Sequence, residues 1–118
     1  MDKKNRFKRY FRRGKSANRG HPTYIYAERD GKLEYVGLTH AEITEGVRNI
    51  PLDKNPNPNP KENEEKSYIR PKTGKEDKKK FGSRLPDWEF AESDKKSVQS
   101  VIDKNKKAQK KESEPPET

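Results

Sequence analysis

The sequence predicts an α+β fold, a small antiparallel sheet of three or four strands followed by one C-terminal helix. Three features point to it: an Asp-Gly pair between two β-prone runs, a second β-prone island further on, and an apolar helical stripe near the C-terminus. Of the 118 residues, 25% are hydrophobic and 42% charged. So little apolar surface cannot offset the ordering entropy of the whole chain. The expected layout is a basic flexible arm over 1–20, a small domain over 21–107 and a disordered acidic tail over 108–118.

The N-terminal hairpin is the clearest local signal. Thr23-Tyr24-Ile25-Tyr26-Ala27-Glu28 and Leu33-Glu34-Tyr35-Val36-Gly37-Leu38 flank Arg29-Asp30-Gly31-Lys32. The Asp-Gly pair tolerates the positive φ that a two-residue turn requires. Val47 to Leu52 reads as a third strand with Pro51 at an edge, since proline cannot donate to a ladder. Asn55-Pro56-Asn57-Pro58-Asn59-Pro60 and the charges after it predict a long mobile loop over 53–66. Ser67 to Pro71 is a short β-prone island, and Lys72 to Lys80 reads as charged loop. Phe81, Leu85, Trp88 and Phe90 are spaced as core anchors outside any regular element. Ser93 suits an N-cap and Asp94 a first helical turn, while Val98, Val101 and Ile102 form one apolar stripe.

Charge is concentrated at the N-terminus. Residues 1–20 hold nine Lys or Arg and one Asp, a net of +8. Of the chain's 29 basic and 20 acidic residues, 20 and 19 remain for residues 21–118. Lys3, Lys4, Arg6, Lys8, Arg9, Arg12, Arg13, Lys15 and Arg19 suit phosphate contacts. Phe7, Tyr10 and Phe11 would share one face of a helix and offer stacking surfaces to bases. So short and like-charged a segment would order only on a polyanion. A membrane surface would also attract such an arm, and a solubilising tail without a partner is the plainest alternative.

No Cys is present, so disulfides and thiolate metal sites are excluded. No apolar run approaches a membrane span or a signal-peptide core, and a cytoplasmic protein is expected. The two histidines, His21 and His40, lack the spacing of a zinc site, so neither a metal nor another cofactor is expected.

His40 follows the second hairpin strand, where catalytic side chains often emerge. With Arg48, Ser67 and Arg70 it could form a metal-independent ribonuclease-type site. His40 would move the proton, an arginine would stabilise charge on phosphorus, and Ser67, Thr44 or Tyr68 would orient the phosphate.

Two resemblances arise from these motifs. Tyr24-Ile25-Tyr26 and Tyr35-Val36-Gly37-Leu38-Thr39 are similar to the paired motif of GIY-YIG nucleases over sixteen residues. Tyr24 stands where that family has its first glycine, and no helical Arg or metal-binding Glu follows, so hairpin composition accounts for the similarity. More broadly, His21-Pro22-Thr23-Tyr24-Ile25-Tyr26, Tyr35 to His40, Asn55 to Pro58 and Ser67 to Pro71 resemble segments of small phage and mobile-element proteins. Some of those are similar to the barnase/colicin/RelE-like nucleases, a resemblance that implies RNA cleavage or RNA binding without a metal.

Three functions follow as expectations. The first is a nucleic-acid-binding accessory protein, of mobile-element type, that engages RNA or DNA through its basic arm. The second is a ribonuclease-like toxin using His40. The third is a protein-interaction module presenting surplus aromatics among Tyr24, Tyr26, Tyr35, Tyr68 and Trp88.

Overall fold

The computed structural model describes residues 7–113. Its strands are β1 (Tyr10–Gly14), β2 (Thr23–Arg29), β3 (Lys32–Thr39), β4 (Ile43–Thr44), β5 (Val47–Arg48), β6 (Ile50–Pro51), β7 (Tyr68–Asp77) and β8 (Phe81–Arg84). One helix, α1 (Glu92–Ser113), follows the strands, and short 3-10 turns lie at Ala17–Gly20 and Lys78–Lys80. Six strands form one antiparallel sheet in the order β6-β7-β3-β2-β1-β8, and β4 and β5 make a separate ribbon. The α+β class with its C-terminal helix is as expected, but the sheet has six strands where three or four were predicted.

The hairpin forms as its turn residues require. Asp30 and Gly31 both have positive φ, at 51° and 77°, which matches the right-handed twist of the strands they join. Pro51 lies on the edge strand β6, where its missing N–H is harmless.

The extra strands come from segments without an alternating apolar signal. Lys72 to Asp77, expected as loop, continues β7 and pairs with β3 from Lys32↔Asp77 to Val36↔Thr73. Phe81 to Arg84, expected to lack regular structure, forms β8. Backbone pairing with a neighbour already in place can order a polar strand whose own pattern predicts nothing.

Residues 10–20 are not a flexible arm. Tyr10–Gly14 is an interior strand, paired with β2 on one side and β8 on the other. The helical face expected for Phe7, Tyr10 and Phe11 gives way to strand alternation. Phe11 turns into the main core, while Tyr10 and Phe7 pack against a smaller cluster on the other face. The link that follows is equally ordered. Ala17 is buried, and the Asn18 amide donates to the carbonyls of Pro22 at 2.8 Å and Leu38 at 3.0 Å. Gly14 serves close approach rather than mobility, because a Cβ there would meet the carbonyl oxygens of Ala17 and His21 at under 3.0 Å.

α1 covers one face of the sheet. Val98, Val101 and Ile102 pack with Phe11, Val36 and Ile69. Ile25, Leu33, Phe81 and Ala17 form the smaller cluster, with Tyr35 at its margin. Burial pushes the Tyr26 and Tyr35 phenols up from their ordinary value. The helix begins at Glu92, so Ser93 lies inside it instead of capping it, and it continues beyond the expected end at Lys107. Residues 114–118 of the expected acidic tail lie outside the described residues.

Segment 53–66 is a loop, as expected, but a hydrogen-bonded one. Asn55, Asn57 and Asn59 each accept, through the side-chain oxygen, the N–H two residues on, at 3.0, 2.9 and 3.0 Å. Each such turn steps over a proline, which has no N–H to contribute. Buried Asp94 anchors the loop by accepting from the N–H groups of Asp53 at 2.7 Å and Lys54 at 3.0 Å. Asp94→Ala is expected to destabilise the domain by about 2–4 kcal/mol, because two N–H groups lose a charged acceptor. Urea unfolding checks this, with a midpoint shift at unchanged slope as the expected result.

Candidate nucleic-acid interface and histidine cleft

The basic residues form a groove across β1, β2 and β8 rather than a free arm. Phe7, Lys8, Tyr10, Arg12, Glu28, Lys78 and Arg84 line a space of about 390 Å³. Pairing of β1 with β8 sets Arg12 opposite Arg84, and the N–H groups of Lys15 and Ser16 both donate to Lys80 O. The run Lys78–Lys80 thereby joins the basic strand although it lies more than sixty residues away in the chain.

The groove's cations are tied to their neighbours. Arg12 donates from Nε to Gly82 O at 2.8 Å and from Nη1 to the Tyr10 hydroxyl at 3.2 Å. The Arg84 guanidinium lies 4.0 Å from the centroid of the Tyr10 ring, a cation–π stack. Lys78 pairs with Glu28 at 3.0 Å. With Lys8, four cations against one carboxylate leave the groove positive.

The other arm residues diverge. Arg9 donates to Gln99 of α1 at 2.7 Å, and Arg19 pairs with Glu45 at the tip of the β4–β5 ribbon. Arg13 is exposed beside Gly82. Phe11 is buried in the core, its ring centroid 4.9 Å from that of Phe90, so it has no face to offer a base. Lys3, Lys4 and Arg6 lie outside the described residues.

Of the residues grouped around His40, one shares its surroundings. His40 and Ser67 line a small cleft of about 30 Å³ together with His21, Thr39, Asn55, Asn57 and Trp88. Arg48 stands on the ribbon, ion-paired with Glu42 at 3.4 Å, and Arg70 lies on β7 with its Nε buried. Neither lines the cleft. Thr44 accepts from Asn49, and Tyr68 pairs with Thr39 across the β3–β7 ladder, so both have structural partners.

The sequence assigns His21 no role, yet it lines the same cleft as His40. A two-residue turn pairs Arg29 with Lys32, and that register continued to the far end sets His21 directly opposite His40. The ladder shifts by one residue between Ile25 and Ala27, and Leu38 N donating to Pro22 O at 3.0 Å extends the shifted pairing. His21 therefore comes opposite Thr39, one residue from His40. The His40 ring is oriented by its Nδ1, 3.0 Å from Lys66 O. A carbonyl can only accept, so Nδ1 carries the hydrogen and a neutral ring has its lone pair on Nε2.

Among the described residues, no three His, Asp or Glu side chains are placed to hold a metal ion, and no helix is long and apolar enough to cross a membrane. Compared with known proteins, the chain matches no family model, no curated protein and no solved structure.

Proposed function

We propose that this chain is a nucleic-acid-binding protein that grips single-stranded RNA or DNA in the groove across β1, β2 and β8. The observation that carries the reading is the meeting of Lys8, Arg12, Lys78 and Arg84 around the aromatic rings of Phe7 and Tyr10. Clustered cations neutralise phosphates, and aromatic or guanidinium planes stack on unpaired bases. Lys3, Lys4 and Arg6 precede Phe7 by one to four residues and add to the same local charge. Strand β1 thus keeps the binding role expected of the arm, but as part of a folded surface.

The test is anisotropy of a labelled single strand, about 12 nucleotides long, titrated at rising salt. Four phosphate contacts on a single strand give a log–log slope of about −3, a loss of roughly fifty-fold between about 50 and 200 mM salt. Affinity that is absent at low salt, or that does not change with salt, would refute the proposal.

A further inference from the structure

We infer that the outer edge of β7, with the groove between it and α1, docks an extended acidic peptide segment of a partner protein. On that edge β6 covers only Tyr68 and Ile69. The chain joins the sheet there at Ile50, coming from the β4–β5 ribbon, so from Pro71 to Asp77 β7 has no strand on its outer side. Pro71 suits an open edge, because its ring withholds a ladder donor on that side. Strand alternation turns the N–H and C=O groups of Thr73, Lys75 and Asp77 outward. The next N–H, of Lys78, points the other way and donates to Gly31 O at 3.2 Å.

One side chain already does what a neighbouring strand would do. The Asn105 amide of α1 accepts from Thr73 N–H at 3.2 Å and donates to Pro71 O at 3.0 Å. It also donates to Val101 O at 2.7 Å, which ties the cap to its own helix. Asn105 thus stands in for a single peptide unit on an edge that continues for four more residues. An incoming strand would displace it and pair with the outward groups beyond it.

The adjoining groove has room for the side chains on one face of such a strand. Its volume is about 370 Å³, its floor is Ile50, Pro71 and Val101, and Lys96 and Lys104 line its helix wall with the small Ser97 and Ser100 between them. The two lysines are eight positions apart, about 12 Å along the helix axis. Carboxylates at positions i and i+4 of an extended strand are about 13 Å apart, and residue i+2 between them faces the same way. Neither lysine is ion-paired among the described residues. The groove therefore complements an acidic–apolar–acidic pattern at every second residue, in both spacing and charge.

This inference does not depend on the nucleic-acid reading, because β6 and β7 lie at the opposite edge of the sheet from β8. The experiment titrates the full chain into the labelled peptide Thr-Glu-Thr-Val-Thr-Glu-Thr and follows anisotropy. Saturable binding is expected, and lysine in place of both glutamates should weaken it at least about tenfold. The double variant Lys96→Glu, Lys104→Glu should reverse that preference, a result that misfolding cannot produce. Asn105→Ala removes the competing cap and should tighten binding at least about threefold. No saturable binding, equal affinity for the two peptides, an unaltered preference in the charge-reversed chain or no gain with Asn105→Ala would each overturn the inference. A dimer in sedimentation that the charge reversal dissociates would give the edge to a second copy instead. Displacement of the peptide by the 12-nucleotide strand would give it to nucleic acid, and either outcome overturns the peptide assignment. Failure of the peptide to bind leaves the groove across β1, β2 and β8 standing as a proposal.

Discussion

Phe11→Ala is expected to destabilise the chain by about 3–5 kcal/mol, a large share of what a domain of this size possesses. The ring is 4% exposed, with centroids 4.9 Å from Phe90, 5.1 Å from Tyr24 and 5.7 Å from Trp88. Its backbone carbonyl also accepts the Leu85 N–H at 3.0 Å, linking β1 to the residue after β8. Truncation removes the aromatic packing and leaves a cavity that three neighbouring rings cannot collapse into. Urea unfolding at constant slope measures the loss. A free arm would predict no change, so an unaltered midpoint would show that β1 is not part of the fold. The same packing governs truncation. Deleting residues 1–20 removes an interior strand, so the product should fail to fold, and its failure to bind would say nothing about charge. Neutralising substitutions are the informative alternative.

The triple variant Lys78→Gln, Lys79→Gln, Lys80→Gln is the second large effect. Each glutamine keeps most of the side-chain length and removes one charge. All three lysines are exposed in the turn before β8, and Lys80 contributes its backbone carbonyl rather than its side chain to the fold. The Lys78–Glu28 pair is a surface one, with side chains 52% and 35% exposed, and its removal should barely alter stability. Affinity for a single strand should fall at least about tenfold near 100 mM salt. The log–log salt slope should shrink by about 0.7 for each phosphate no longer neutralised. Unchanged affinity and slope would exclude this turn from the interface. Treated as a solvated loop in a charge-neutral domain, Lys78–Lys80 would have no bearing on binding.

The hairpin, the edge proline and the C-terminal stripe were legible because each signal is local. Asp30-Gly31 specifies its turn through backbone sterics alone, and Val98, Val101 and Ile102 declare a helical face by spacing. Strand β1 was not legible. Tyr-Phe-Arg-Arg-Gly carries no alternating apolar pattern, and its ordering depends on β2 and β8 lying on either side. The Asn/Pro loop misled for a related reason. Its composition favours solvation, but its asparagines form successive turns once Asp94 holds their start. The cleft was half visible: His40 stood out at a strand end, while His21 joins it across a ladder whose one-residue shift the turn does not encode.

By itself the sequence determined the α+β class, the turn that sets the β2–β3 register, the helix face and the total charge. These depend on backbone sterics and on residues a few positions apart. Tertiary structure alone decided which strands flank β1, where Lys78 meets Arg12, and that His21 rather than Arg48 or Arg70 joins His40. Those outcomes rest on pairing between remote backbones, whose hydrogen bonds carry no residue signature.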